Sequence, residues 1–134
     1  MDPANSAGYV DVARLVVGGR TQPTLNMDYG AKIGLETDTV KSLTDGGAAV
    51  YNEKPIRRTA IFTVGTLPES EAMGAFWRMK RILGISSQFM FVYDPDDTAL
   101  MHERSFLAVM SELSALEFPY YNRATLPFAV VEEL

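Results

Sequence analysis

The chain has 134 residues, 47% of them hydrophobic, with no cysteine, one histidine and a net charge of −5. That length suits one domain with a core of its own, and the missing cysteines exclude disulfides, thiolate catalysis and cysteine-ligated metals. The acidic balance opposes a general nucleic-acid coat, which is normally basic. No apolar run nears the roughly 20 residues of a membrane span, and Met1 to Asp11 has neither the basic region nor the apolar stretch of a secretory signal. Neither nucleic acid nor membrane is therefore expected as a partner.

In chain order, residues 1–8 read as a loose polar arm ahead of the domain. Val10 to Gly19 reads as a first strand running into a Gly-Gly turn. Arg20 to Gly30 is loop-like, although Leu25, Met27 and Tyr29 alternate as if along a sheet. Ile33, Leu35, Thr37 and Thr39 recur at period two, a half-buried strand pattern over Ala31 to Lys41. Thr44 to Gly47 is a turn leading into a short strand, Ala48 to Tyr51. Arg57 to Val64 alternates cleanly, with Arg58, Ala60, Phe62 and Val64 on one face and Arg57, Thr59, Ile61 and Thr63 on the other.

The stretch Thr66 to Tyr93 organises the rest. Thr66 and Glu69 fit a capping box, and Pro68 falls in the first turn, where its missing N–H is not needed. Met73, Phe76, Lys80 (by its stem) and Leu83 follow at helical spacing, with Ala72, Met79 and Ile82 widening the apolar face. Gly84 stands where a left-handed residue stops a helix. The spacing predicts a helix over about 67–83, followed by a core strand from Gln88 to Tyr93. Asp94 to Asp97 is a turn. Ser105 to Leu116 fits a helix by residue choice, with Asp97 as its cap, and a strand by alternation. Phe118 to Asn122 reads as an aromatic turn, and Thr125 to Val131 as a closing strand whose Pro127 points to an edge or a bulge. Six or seven strands surround one helix, with no repeat or linker dividing the chain.

Catalytic patterns are lacking. A Ser-His-Asp triad would have to be built around His102, whose neighbours Glu103 and Arg104 look like ordinary polar surface. No nucleophile elbow, phosphate loop, dinucleotide fingerprint or HExxH occurs. The acidic turn Asp94, Asp96, Asp97 fails as a calcium loop, since Thr98, Ala99 and Ser105 occupy positions that need ligands or glycine. The chain reads as a non-enzyme without catalytic, cofactor or metal sites.

Charge placement is more informative than its sum. Between Glu53 and Arg81 lie Lys54, Arg57, Arg58, Arg78, Lys80 and Arg81 against three acids. From Asp94 onward, eight acids face only Arg104 and Arg123. Either these are two solvated faces, or they form a self-complementary surface on which copies pack head to tail around a ring. The second reading nominates Arg57, Arg58, Arg78, Lys80 and Arg81 to meet Glu132 and Glu133 of a neighbour. Tyr120 and Tyr121 join them, because tyrosine is enriched in buried contact patches.

The order of these elements resembles the small tail-tip proteins of long-tailed bacteriophages: the N-terminal domain of the distal tail protein and the minor tail protein M family. A first strand ending Leu15-Val-Val-Gly-Gly19 precedes a turn at Leu43-Thr-Asp-Gly46, and paired arginines at 57 and 58 precede the single helix and its glycine. The aromatic strand Phe89 to Tyr93, the acidic proline turn, two closing strands and Glu132-Glu133 complete the order. The fuller early glycine-tyrosine turn of that family is represented only by Tyr29-Gly30. The resemblance implies a β-rich α+β fold, a split or open β-barrel with one flanking helix, and makes Ser105 to Leu113 a strand. It also implies a virion structural protein, made in the host bacterial cytoplasm, forming a ring of six or else three copies between the tail tube protein and the hub and tape measure proteins. The rival readings are a head–tail connector or tail terminator subunit, and a small barrel that grips a sugar or peptide through Tyr93, Tyr120 and Tyr121.

Overall fold

The computed structural model describes residues 14–134. The chain is β-rich α+β, with one long helix. Strands β1 (Lys32–Thr37), β4 (Ile56–Pro68), β8 (Arg123–Glu132), β6 (Ser105–Met110) and β5 (Phe89–Val92) lie side by side in that order, every neighbour antiparallel. Strand β7 (Glu117–Tyr120) pairs with the start of β8 on the side that β6 occupies farther along. A separate hairpin, β2 (Val40–Leu43) with β3 (Ala49–Asn52), interrupts the run from β1 to β4.

Period-two alternation puts one set of side chains inside. Ala60 and Val64 on β4, Phe106, Ala108 and Met110 on β6, and Ala124, Leu126, Phe128 and Val130 on β8 are all buried. Phe62 on β4 stacks on Phe128 at 5.2 Å and on Phe91 of β5 at 5.4 Å between ring centroids. Yet β5 is three strands away from β4, roughly 14 Å across a flat sheet. The sheet is therefore strongly curled, and phenylalanines fill its concave side. The curl stops short of closure: β1 and β5 remain outer edges, so the element is an open curled sheet and the expected barrel does not follow from it.

The helix covers half of the concave side. It runs without a break over residues 69–83 through an α-helical turn (Glu69–Glu71), a π-helical segment (Ala72–Phe76) and a final α-helical stretch (Trp77–Leu83). Ala72, Phe76 and Lys80, four residues apart, face inward, where Ala72 and Phe76 pack with Val64, Leu67, Leu126 and Phe128. Gly84 ends the helix at φ 56, a torsion that favours glycine, and its N–H bonds Lys80 O at 2.9 Å.

Several expectations are corrected. The capping box does not form: β4 continues to Pro68, and Thr66 sits at φ 57 in a bulge between Val64 and Leu67. Met73 and Ile82, expected on the inner face of the helix, lie on its outer face. Of the predicted first strand, residues 10–13 lie outside the described residues, and residues 14–19 are irregular and exposed. The aromatic turn at Phe118 is largely strand β7, with only Tyr121 and Asn122 turning. The ambiguous stretch is strand from Ser105 to Met110 and irregular over residues 111–116.

The most instructive correction is Pro127, which lies in a central strand and not at an edge. Its carbonyl points toward the side of β8 where β6 gives way to the irregular 111–116 segment, because Lys80 and Ser111 reach the Pro127 and Ala129 carbonyls there. N–H and C=O of one strand residue point the same way, so the missing donor of Pro127 faces the gap and costs no ladder bond.

Candidate assembly interface

The nominated charges divide into those used inside the chain and those left outside. Glu132 follows the last β4–β8 pair, Thr59 with Val131, and its carboxylate takes over from the ladder. It accepts the Arg58 backbone N–H at 3.0 Å and forms an ion pair with the Arg58 guanidinium. Arg58 also donates to His102 O at 2.8 Å and lies 5.0 Å from the Phe106 ring centre, so it ties β4, β8 and the helical turn Met101–Arg104 together. The bond from Arg58 holds the Glu132 carboxyl below its ordinary range, against the opposing effect of burial, and the pairing in turn raises Arg58. The contact expected between copies for this pair is thus made within one chain.

Lys80 is likewise withdrawn. It is 7% exposed, donates to Ser114 O at 2.8 Å and Pro127 O at 3.4 Å, and lies 4.8 Å from the Phe128 ring centre. Burial pushes its amine below the ordinary lysine value, partly offset by Glu112. It is a core clamp that fills the gap beside Pro127.

Arg57 is half-buried opposite Glu36 of β1, on the convex side of the sheet. Glu133 is half-buried, with its N–H bonded to Leu107 O. Arg78 and Arg81 are exposed on the outer face of the helix, where they share a shallow depression of about 410 Å³ with Met73, Gly74, Trp77 and Ile82. Tyr120 and Tyr121 are exposed at the β7–β8 turn. Tyr93 stands near the far end of β8, roughly 30 Å away at strand rise, over Arg104. The three tyrosines therefore line no common site.

The acidic turn folds on itself. Asp94 accepts the N–H of Asp96, and Asp97 accepts those of Ala99 and Leu100 while pairing with Arg104. Among the described residues, no three acidic or histidine side chains converge to hold a metal ion, and no helix is long and apolar enough to cross a membrane.

A surface that sequence reasoning missed is the hairpin. Beyond the sheet's end, β1 and β4 continue into β2 and β3 as a projecting arm, and all residues of β2 and β3 are exposed. Thr37, Thr39 and Lys54 knit its neck through hydroxyl–backbone bonds, and Thr44 closes its tip over Gly47 at φ 81. Leu35, Val40, Leu43, Val50, Tyr51 and Ile56 are apolar yet 49–73% exposed along it. The sequence signal was present as period two flanking a Gly-Gly turn, but periodicity does not say whether either face is covered.

No family model, curated protein or solved structure matches the chain.

Proposed function

We propose that this protein is a structural subunit of a bacteriophage tail, forming a homo-oligomeric ring at the tail tip between the tail tube and the central hub. The observation that carries the assembly reading is the projecting arm, whose apolar side chains touch little of their own chain. Contiguous exposed apolar surface of this kind marks interaction sites in otherwise well-packed domains. Two further features support a ring. The curled sheet has open edges at β1 and β5, and neither strand carries the proline that commonly blocks an edge. With five antiparallel strands between and including them, both edges run in the same direction, so copies related by rotation abut repeatedly in one sense. The placement in a phage tail comes from the element order of the sequence.

Light scattering across concentration and salt tests the reading. A closed oligomer of several copies, loosened by high salt because Arg78 and Arg81 stand at its contacts, is the expected result. A strict monomer, both alone and when mixed with tail tube and hub proteins, sinks it.

A further inference from the structure

Two unpartnered apolar surfaces carry opposite charge. Residues 38–54 of the arm hold Asp38, Asp45 and Glu53 against Lys41 and Lys54, a net of −1. On the outer face of the helix, Met73, Trp77 and Ile82 are 42–71% exposed beside Arg78 and Arg81, and no acid occurs between Glu71 and Asp94. We infer that the arm of one copy lies across the outer helix face of another copy. The inference deepens the assembly reading and rests on it only in taking a second copy as the partner.

The arm has one face suited to this contact. Cross-strand pairing puts Val40 with Asn52 and Ser42 with Val50 on one side, free of charge. Lys41, held 5.8 Å from the Tyr51 ring centre, points to the other side with Leu43. Acids flank the uncharged face at both ends: Asp45 at the tip, Asp38 and Glu53 at the neck. Laid on the helix, Val40 and Val50 meet Trp77 and Ile82, and the flanking carboxylates reach Arg78 and Arg81. The dimensions agree. Two paired strands with their side margins are roughly 10 Å wide, and the helix from Met73 to Ile82 offers about 14 Å.

The contact cannot be made within one chain. The arm leaves the sheet at Ile56, whereas the helix begins beyond Pro68 at the other end of β4, roughly 40 Å away. The tip extends farther outward still, away from the helix of its own chain.

Because the chain has no cysteine, single introduced thiols report this contact directly. A Val50→Cys protein carrying a size tag is mixed with an untagged Ile82→Cys protein and treated with a flexible bismaleimide; Tyr121→Cys, more exposed than Ile82 and off the helix, replaces Ile82→Cys as the control. The expected result is heterologous cross-linking to Cys at 82 at least ten-fold faster than to Cys at 121, lost in the Arg78→Glu/Arg81→Glu background and restored when the arm carries Asp38→Arg/Asp45→Arg. Equal rates at the two positions overturn the docking, as does indifference to both charge reversals. Wild-type light scattering separates the two ideas. Rings without the selective cross-link sink the docking and leave the ring; the cross-link without rings, both alone and with tail tube and hub proteins, supports the docking and sinks the ring.

Discussion

The curled body and the projecting arm are built from the same period-two strands, and they differ in what closes over them. In the body, the strands share Phe62, Phe91, Phe106 and Phe128 as a packed aromatic interior, and a helix lies over one half. Its charges are spent internally, Arg58 on Glu132 and Arg104 on Asp97. In the arm, the same alternation meets nothing, and its three acids have no ion-pair partner among the described residues. The lesson is that stability resides in the body, while the side chains of the arm answer to something outside the chain.

The sharpest way to break that contrast is to damage each region in turn. Phe128→Ala removes the ring that touches Phe62, Phe76 and Lys80, and it should cost about 3–5 kcal/mol by urea or thermal unfolding. Replacing residues 40–52 with a short glycine turn should leave the unfolding free energy within about 0.5 kcal/mol, as for surface changes, while abolishing assembly. If the shortened arm unfolds as easily as the Phe128 variant, the division between the regions is wrong.

The internal charges give the next tier. Lys80→Ala leaves the Ser114 and Pro127 carbonyls without their donor and should cost about 1–3 kcal/mol. The amine of Lys80 is held below its ordinary value, so the folded chain releases that proton before the unfolded chain does. Its contribution to stability rises with pH across that alkaline window, and the variant should lack this slope. Glu132→Gln should cost about 1.5–3 kcal/mol at neutral pH, as for hydrogen bonds to a charged group. The sign is the same, in the acidic range. The Glu132 carboxyl is depressed in the folded chain, so its contribution is complete above the ordinary carboxylate range and is lost as pH falls through the lowered value. Chemical unfolding measured from neutral pH downward should converge for wild type and Glu132→Gln.

Much of the body was legible because burial enforces pattern. The alternation of Arg57 to Val64 maps onto β4, with Ala60 and Val64 inside and Ile61 outside. The helix with its terminal Gly84, and the aromatic strand around Phe89, also stand where spacing put them. What escaped was set by tertiary context. Pro127 signals an edge unless a gap lies opposite its nitrogen, and that gap is made by residues 111–116, which alternation alone cannot interrupt. Lys80 belongs to the basic set by charge and to the core by its stem, and only the waiting carbonyls decide between them. The arm follows the same rule as the body strands, so nothing in its local sequence says that its apolar faces stay bare. Arg58 and Glu132 were singled out correctly as complementary charges, but strand order made them partners within one chain.

The smallest effect tests the junction between the two elements that organise the body. Thr66 and Glu69 look like a helix cap, yet Thr66 is held at φ 57 where β4 bulges before the helix. A β-branched residue is strained in that conformation, by about 1–2 kcal/mol relative to its right-handed form. Its side chain is exposed and makes no capping bond, so nothing at the site compensates locally. Thr66→Gly should therefore stabilise the body by roughly 0.5–1 kcal/mol, the gain being trimmed by the greater freedom of glycine in the unfolded chain. Gly65 next to it behaves oppositely. A Cβ there collides with the Asp28 carboxylate, whose residue fastens the loop before β1 through its N–H to Thr63 O at 2.8 Å. Gly65→Ala should thus push that exposed carboxylate aside at small cost, the loosened loop being detectable as faster amide exchange at Asp28. A gain at residue 66 paired with a loss at 65 would mark the bulge as a strained seat for the loop and helix; a loss at both would mean that Thr66 holds the junction by a contact its exposed side chain does not display.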